Sequence, residues 1–377
     1  MRKLALAAVA GLVAVGAVLL NLSTPAGAAG QEKWVAGKAY HGSFPDPSIL
    51  VDGDHYVVAG TTVAQLNLPI QTSTDLTTWK PREPLGPGVM APGEWKQYDE
   101  AMLKPPKWAA TFGHRTGKME PMHTRLISQW GPSLAKIGDT YLAAFSAATV
   151  VGDMQARRSC IGIATSPSAI GPYTPTSQKP LFCFKKSPKG VIGPDYFIDP
   201  KTNVPYLLWK QEGLKGIQGP ELISRRLDPT GTHFARGSKP KLLMERGKGR
   251  RKYGAIISNW EGIVVENPSM VFYGGHYYLF YTGNQWSTSR YAIGYAVCRG
   301  PLGPCTKKTV NKPLLGTRGP IAGPGSADAF VDLQGNLRFV YAAWDAGHVA
   351  DGSYGRPMHV ATLKAVGTRL TVTKTGA

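Results

Sequence analysis

Acidic side chains are scarce in this sequence. Its 377 residues hold 24 Asp and Glu against 43 Lys and Arg, a formal net charge of +19. Charged residues of both signs reach only 18%, beside 42% hydrophobic and 10% aromatic residues. That balance excludes a disordered chain, which needs low hydrophobicity and dense charge. Beyond residue 20 there is no further apolar run long enough to span a bilayer. Only four cysteines occur, with no CxxC pair and no histidine cluster nearby, which argues against a zinc site. Glycine (45) and proline (30) are abundant instead, about a fifth of the chain. So many breakers leave little room for long helices and favour short strands joined by turns.

The first residues read as an address. Arg2 and Lys3 precede an apolar stretch from Leu4 to Leu20, and Ala26-Gly27-Ala28 supplies a small-x-small cleavage pattern. This predicts a signal peptide over 1–28, a linker over 29–39 and a secreted, extracellular protein without a membrane anchor. Export into an oxidising compartment favours disulfides. Cys298 and Cys305 flank a segment containing Gly300, Pro301, Gly303 and Pro304, a turn able to bring them together. Cys160 is then left to pair with Cys183.

One pattern recurs five times. A turn with Pro or Gly leads into an alternating strand, and a second turn leads into an aromatic-rich strand. The copies begin at Asp46-Pro47-Ser48, Gly131-Pro132-Ser133, Gly193-Pro194-Asp195, Asn267-Pro268-Ser269 and Gly325-Ser326-Ala327-Asp328. The aligned prolines are 85, 62 and 74 residues apart, which leaves room for a four-stranded sheet per unit. The fold expected is all-β, a single-domain five-bladed β-propeller over 40–370, with 82–128 an insertion across one face.

In a propeller the innermost strands line the central axis, and the residues just before them crowd one mouth. Those positions hold Asp46, Gly131, Gly193, Glu266-Asn267 and Ser326, with Asp195 slightly further in. Two carboxylates on separate blades facing one funnel suit glycosidic cleavage. One protonates the leaving oxygen while the other activates water. Asp46 and Glu266 stand in that relation. Asp46 also fits a plain turn role before Pro47.

The flanking segments carry a resemblance. Phe44-Pro45-Asp46-Pro47-Ser48-Ile49-Leu50, Ser73-Thr74-Asp75-Leu76-Thr77-Thr78-Trp79 and Trp130-Gly131-Pro132-Ser133 resemble glycoside hydrolase family 43. So do Cys160-Ile161-Gly162-Ile163-Ala164-Thr165-Ser166 and Val265-Glu266-Asn267-Pro268-Ser269-Met270. The resemblance spans roughly residues 40–366. It implies a five-bladed inverting glycosidase with Asp46 as general base and Glu266 as general acid, Glu261 being the alternative acid. The family's third acid, an aspartate that modulates the general acid, falls on Gly193. Asp195, two residues on, is the candidate replacement, because positions i and i+2 of a strand share a face. Ser326 stands where many members place an axial histidine. No cofactor is therefore expected, and the serine argues against an axial calcium ion.

Phe44 and Trp130 are expected as sugar-stacking walls, and Trp209 and Trp344 as mainly structural. Basic residues cluster over 241–252 and at Lys185, Lys186 and Lys189. An acidic polymer, or simple solubility, suits these clusters better than nucleic acid. The expected function is inverting hydrolysis of α-L-arabinofuranosyl or β-D-xylosyl linkages in polysaccharide, by a monomer. Two alternatives stay open: a carbohydrate-binding propeller without catalysis, and a retaining five-bladed hydrolase acting on fructans.

Overall fold

The computed structural model describes residues 42–62, 66–81, 100–109, 129–151, 156–187, 189–213, 219–246, 251–252, 255–256, 260–352 and 354–375. The expected signal peptide, the linker and the insertion apart from 100–109 lie outside them.

Twenty-three strands and no helix occur among the described residues. The first blade is β1 (Ser48–Asp52), β2 (His55–Ala59), β3 (Ile70–Ser73) and β4 (Lys80–Pro81). In the second are β5 (Gln129–Ile137), β6 (Thr140–Val151), β7 (Ala156–Ser166) and β8 (Thr174–Pro175), with β9 (Phe182–Cys183) also paired to β7. The third contains β10 (Val191–Ile198), β11 (Pro205–Gln211), β12 (Glu221–Arg226) and β13 (Lys241–Glu245). A two-stranded ribbon of β14 (Arg251–Lys252) and β15 (Ala255–Ile256) follows. Blade four is β16 (Val265–Tyr273), β17 (His276–Gly283), β18 (Ala292–Cys298) and β19 (Cys305–Lys307). Blade five is β20 (Ile321–Val331), β21 (Leu337–Asp345), β22 (Met358–Val366) and β23 (Arg369–Thr375).

Each blade is an antiparallel meander, as the turn spacing demands. Tyr273 pairs with His276 across Gly274 and Gly275, whose φ angles of 54° and 82° a two-residue hairpin requires and glycine accepts without strain. Apolar side chains from adjacent blades fill the space between them. Leu134, Tyr141 and Phe145 pack with Val57 and Ile70, while Leu208 and Leu222 pack with Met270 and Leu279. The ring closes where Phe44, Ile49 and Tyr56 meet Phe330, Val340 and Met358. The disulfides join Cys160 to Cys183 and Cys298 to Cys305, the pairing expected. No described helix is long and apolar enough to cross a membrane.

A hydrogen-bonded girdle ties the inner strands together. Ser48 Oγ accepts the Leu134 amide (3.0 Å), Ser133 Oγ that of Tyr196 (2.8 Å) and Asp195 Oδ2 that of Met270 (3.0 Å). Ser269 Oγ accepts from Ala329 (3.0 Å), and Asp328 Oδ2 from Ile49 (2.8 Å), which completes the circle. Two residues before each of these side chains the backbone turns left-handed: Asp46 (φ 52°), Gly131 (53°), Gly193 (59°), Asn267 (50°) and Ser326 (56°). In β5, β10, β16 and β20 the ladder register shifts there, as at a β-bulge.

Candidate active site

The five left-handed residues surround the axis together with the residues that follow them. They enclose a cavity of about 30 Å³ lined by Asp46, Gly131, Gly193, Asn267 and Ser326, with Asp195 and Asp328 further in. That is room for about one water molecule.

A continuous hydrogen-bonded chain joins the two expected catalytic carboxylates. Ser326 Oγ donates to Asp46 Oδ1 (2.5 Å) and receives a bond from Asn267 Nδ2 (2.5 Å). The same amide nitrogen donates to the Tyr291 hydroxyl (3.1 Å), which donates in turn to Glu266 Oε1 (2.8 Å). Thr61 Oγ1 donates to Asp46 Oδ2 (2.7 Å), and Lys210 Nζ to Glu266 Oε2 (2.9 Å). All four carboxylate oxygens are thus acceptors. Burial pushes the Tyr291 phenol well above its ordinary pKa, and the nearby Glu266 carboxylate adds to this, so Tyr291 remains a donor.

Each carboxylate is also backed by a buried cation. Arg356 Nη1 lies 3.7 Å from Asp46 Oδ1, and its side chain is 5% exposed. Its Nε and Nη2 are buried without a hydrogen-bond partner among the described residues, and the guanidinium lies over the Tyr291 ring, 5.4 Å from its centroid. Lys210 is equally buried and also bonds Glu212 Oε1 at 3.0 Å. Burial alone would lower the Lys210 pKa; the Glu266 and Glu212 carboxylates outweigh it and hold the ammonium above its usual range. Neither Lys210 nor Arg356 was singled out in the sequence. A lysine inside the apolar run Pro205-Tyr206-Leu207-Leu208-Trp209-Lys210 was the available signal for the first.

A model of glycosyl hydrolases family 43 matches residues 113–364. The chain belongs to that family. Among curated proteins, none matches the sequence. A solved thermostable family-43 glycoside hydrolase is similar in fold, with a TM-score of 0.65 and 21% identity over 88% of this chain and 92% of that one. An endo-1,4-beta-xylanase from Bacteroides thetaiotaomicron has a TM-score of 0.64 and 19% identity, covering 90% and 96% of the two chains. An endo-arabinase from the same organism has a TM-score of 0.62 and 19% identity, covering 90% and 100%.

Against the family pattern, several expected residues take other places. Asp195 lines the axial cavity with Gly193 but not at the same step of the strand. A bulge separates them, since the register shifts between Ile192 and Asp195, so the shared-face rule fails across that step. Asp195 sits in the girdle, where burial pushes its carboxyl well above the usual range and Asp328 adds to the rise. A side chain at Gly193 would start 2.8 Å from Asn267 Oδ1, so the amide of Asn267 occupies that space. Glu261 is 1% exposed and buried away from the axis, held by Lys307 (2.7 and 2.8 Å) and the Tyr281 hydroxyl (2.8 Å). Phe44 is 1% exposed and packs over Gly60 in the closing core, so it is not a subsite wall. Trp130 is half-buried beside Gly131, while Trp209 and Trp344 are buried.

Ser326 Oγ is committed to Asp46 and Asn267, Asp195 and Asp328 are engaged in the girdle, and no described group of three or more His, Cys, Asp or Glu could hold a metal. In the basic clusters Lys185, Lys186, Lys189 and Lys241 are exposed, whereas Arg246 Nη1 is spent on the Gly262 carbonyl. Lys248 and Arg250 lie outside the described residues.

Proposed function

We propose that this family 43 protein is a secreted, inverting glycosidase acting on α-L-arabinofuranosyl or β-D-xylosyl linkages of hemicellulose or pectin side chains. The observation that carries this reading is the Asp46–Ser326–Asn267–Tyr291–Glu266 chain, which joins two carboxylates of different blades at one mouth. Asp46 takes a proton from water as its oxygen attacks the anomeric carbon. The glycosidic C–O bond breaks with its electron pair on the leaving oxygen, which takes a proton from Glu266. Solvent then removes the proton from Asp46 and returns one to Glu266. The xylanase and arabinase among the structural neighbours support this linkage class. The disulfides and the leader-like first residues support export.

The deciding experiment incubates the protein with arabinan, arabinoxylan, xylobiose and galactan and follows the product anomer by proton NMR. An inverted arabinose or xylose product is expected. Retention would point to a covalent mechanism, and absence of hydrolysis on every substrate would sink the reading. A carbohydrate-binding propeller without catalysis is the second reading, favoured by Gly193 together with the Lys210–Glu266 contact. Sugar binding without turnover would establish it.

A further inference from the structure

Three blades carry a hydroxyl at one shared position. Thr61, Ser146 and Thr282 each accept the amide of the left-handed residue in the next blade: Gly131, Gly193 and Ser326, all at 2.9 Å. Register identifies the same place in the third blade. Trp130 pairs with Ser146, Glu266 with Thr282, and Ile192 with Lys210. Where the first, second and fourth blades have a hydroxyl, the third has an ammonium, and it reaches forward to Glu266 Oε2 at 2.9 Å. The group that faces Glu266 from the third blade is thus a cation.

Both carboxylate oxygens of Glu266 meet donors. Tyr291, from the segment before β18, receives Asn267 Nδ2 on its oxygen and so gives its own hydrogen to Glu266 Oε1. Lys210 fills Oε2. Of the other charged groups, Glu212, just past the end of β11, bonds the same ammonium at 3.0 Å, and Asp46 and Arg356 lie near the Tyr291 hydroxyl. Ser326 and Asn267 are neutral. A protonated carboxyl would have to point its hydrogen at one of two donors.

We infer that Lys210 is a positioning residue that holds Glu266 as an acceptor in the empty site, and so sets the pH range and leaving groups over which Glu266 can give up a proton. The kinetic half of this inference rests on Glu266 being the proton donor proposed above; the pairing itself does not. Lys210 must turn away before Glu266 can donate, which slows substrates with poor leaving groups most.

Two measurements test it. First, the Lys210 ammonium is followed by nitrogen-15 NMR across pH, its signal assigned by loss in Lys210→Arg. In Glu266→Gln it is expected to titrate at least about one pH unit lower than in the wild type, because an opposite charge at this range shifts a titration by one to three units. An unchanged titration overturns the pairing and the inference with it. Second, kcat/KM is measured against pH for Lys210→Met and Lys210→Arg on an aryl and an alkyl glycoside. Lys210→Met is expected to extend the basic limb to higher pH and to gain about tenfold on the alkyl relative to the aryl substrate. Lys210→Arg is expected to restore the wild-type profile. Lys210→Gln carries the same comparison where the methionine variant does not fold. A basic limb that stays in place overturns the positioning role. A shifted Lys210 titration in a protein that hydrolyses nothing upholds the pairing and overturns the hydrolase reading instead.

Discussion

Asp195 Oδ2 accepts the backbone amide of Met270 at 3.0 Å, and through that bond the third blade is fastened to the fourth. Ser48, Ser133 and Ser269 do the same work elsewhere with a neutral hydroxyl. The third and fifth blades use buried carboxylates, Asp195 and Asp328, each pushed up mainly by burial. A carboxyl whose folded pKa lies above its unfolded value supplies stability below the unfolded value and loses it as pH rises through the folded one. Asp195→Asn keeps an acceptor for Met270 and removes the charge. The wild type is expected to lose stability relative to this variant between pH 4 and neutrality. Each unit of raised pKa corresponds to about 1.4 kcal/mol, on the order of 2 °C in Tm. Thermal melts across pH check this, and a Tm difference independent of pH would refute it.

Glu266→Gln and Asp46→Asn are each expected to lower kcat on an aryl arabinofuranoside or xyloside by about 10²–10⁴-fold while the folded far-ultraviolet spectrum persists. Glu261→Gln separates the two glutamates. It breaks the pair with Lys307, and removing one partner of a buried pair costs about 3–5 kcal/mol. Its effect is expected in chemical denaturation, with kcat little changed in the protein that remains folded. A dead but fully stable Glu261→Gln would reverse the assignment of the acid.

Arg356 is expected to matter for substrate more than for folding. Arg356→Met removes the guanidinium beside Asp46, whose Nε and Nη2 have no hydrogen-bond partner among the described residues. Loss of hydrogen bonds to a charged group is worth about 1.5–3 kcal/mol, a fall in kcat/KM of roughly 10–100-fold. Kinetics on a substrate lacking one ring hydroxyl supply the check. If Arg356 binds that hydroxyl, the variant and the wild type should differ much less on the truncated sugar.

The exposed Lys185, Lys186 and Lys241 give a salt-dependent expectation. Exposed charges are screened over about 10 Å at 0.1 M salt. Retention on immobilised polygalacturonate is expected to fall as salt rises, and to fall again when these three lysines become glutamine. Turnover on a small neutral glycoside should not move. Retention insensitive to both changes would remove the acidic-polymer role.

Five similar hairpins, marked by turns such as Asp52-Gly53-Asp54 and Gly274-Gly275, made the propeller legible, because a short turn dictates an antiparallel partner. Both disulfide pairs were readable for a related reason: few cysteines and one obvious turn. Asp195 was misread because period-two reasoning assumes an unbroken strand, and the bulge after Ile192 breaks it. Phe44 was misread because closeness to Asp46 in the chain says nothing about which way a ring points; Gly60, lacking a side chain, leaves the space it fills. Lys210 reaches the site from β11 and Arg356 from the loop before β22, far apart in the chain, and a lone basic residue in one sequence does not name the carboxylate it will meet.

The left-handed position at the head of each inner strand carries Asp, Gly, Gly, Asn and Ser in turn. The scaffold asks only for a backbone angle there, and adhesion between neighbours is delegated to the residue two places on. Chemistry and cohesion are thus assigned to different side chains of the same short segment. A propeller built this way can exchange the groups that look into its mouth and remain the same solid object underneath.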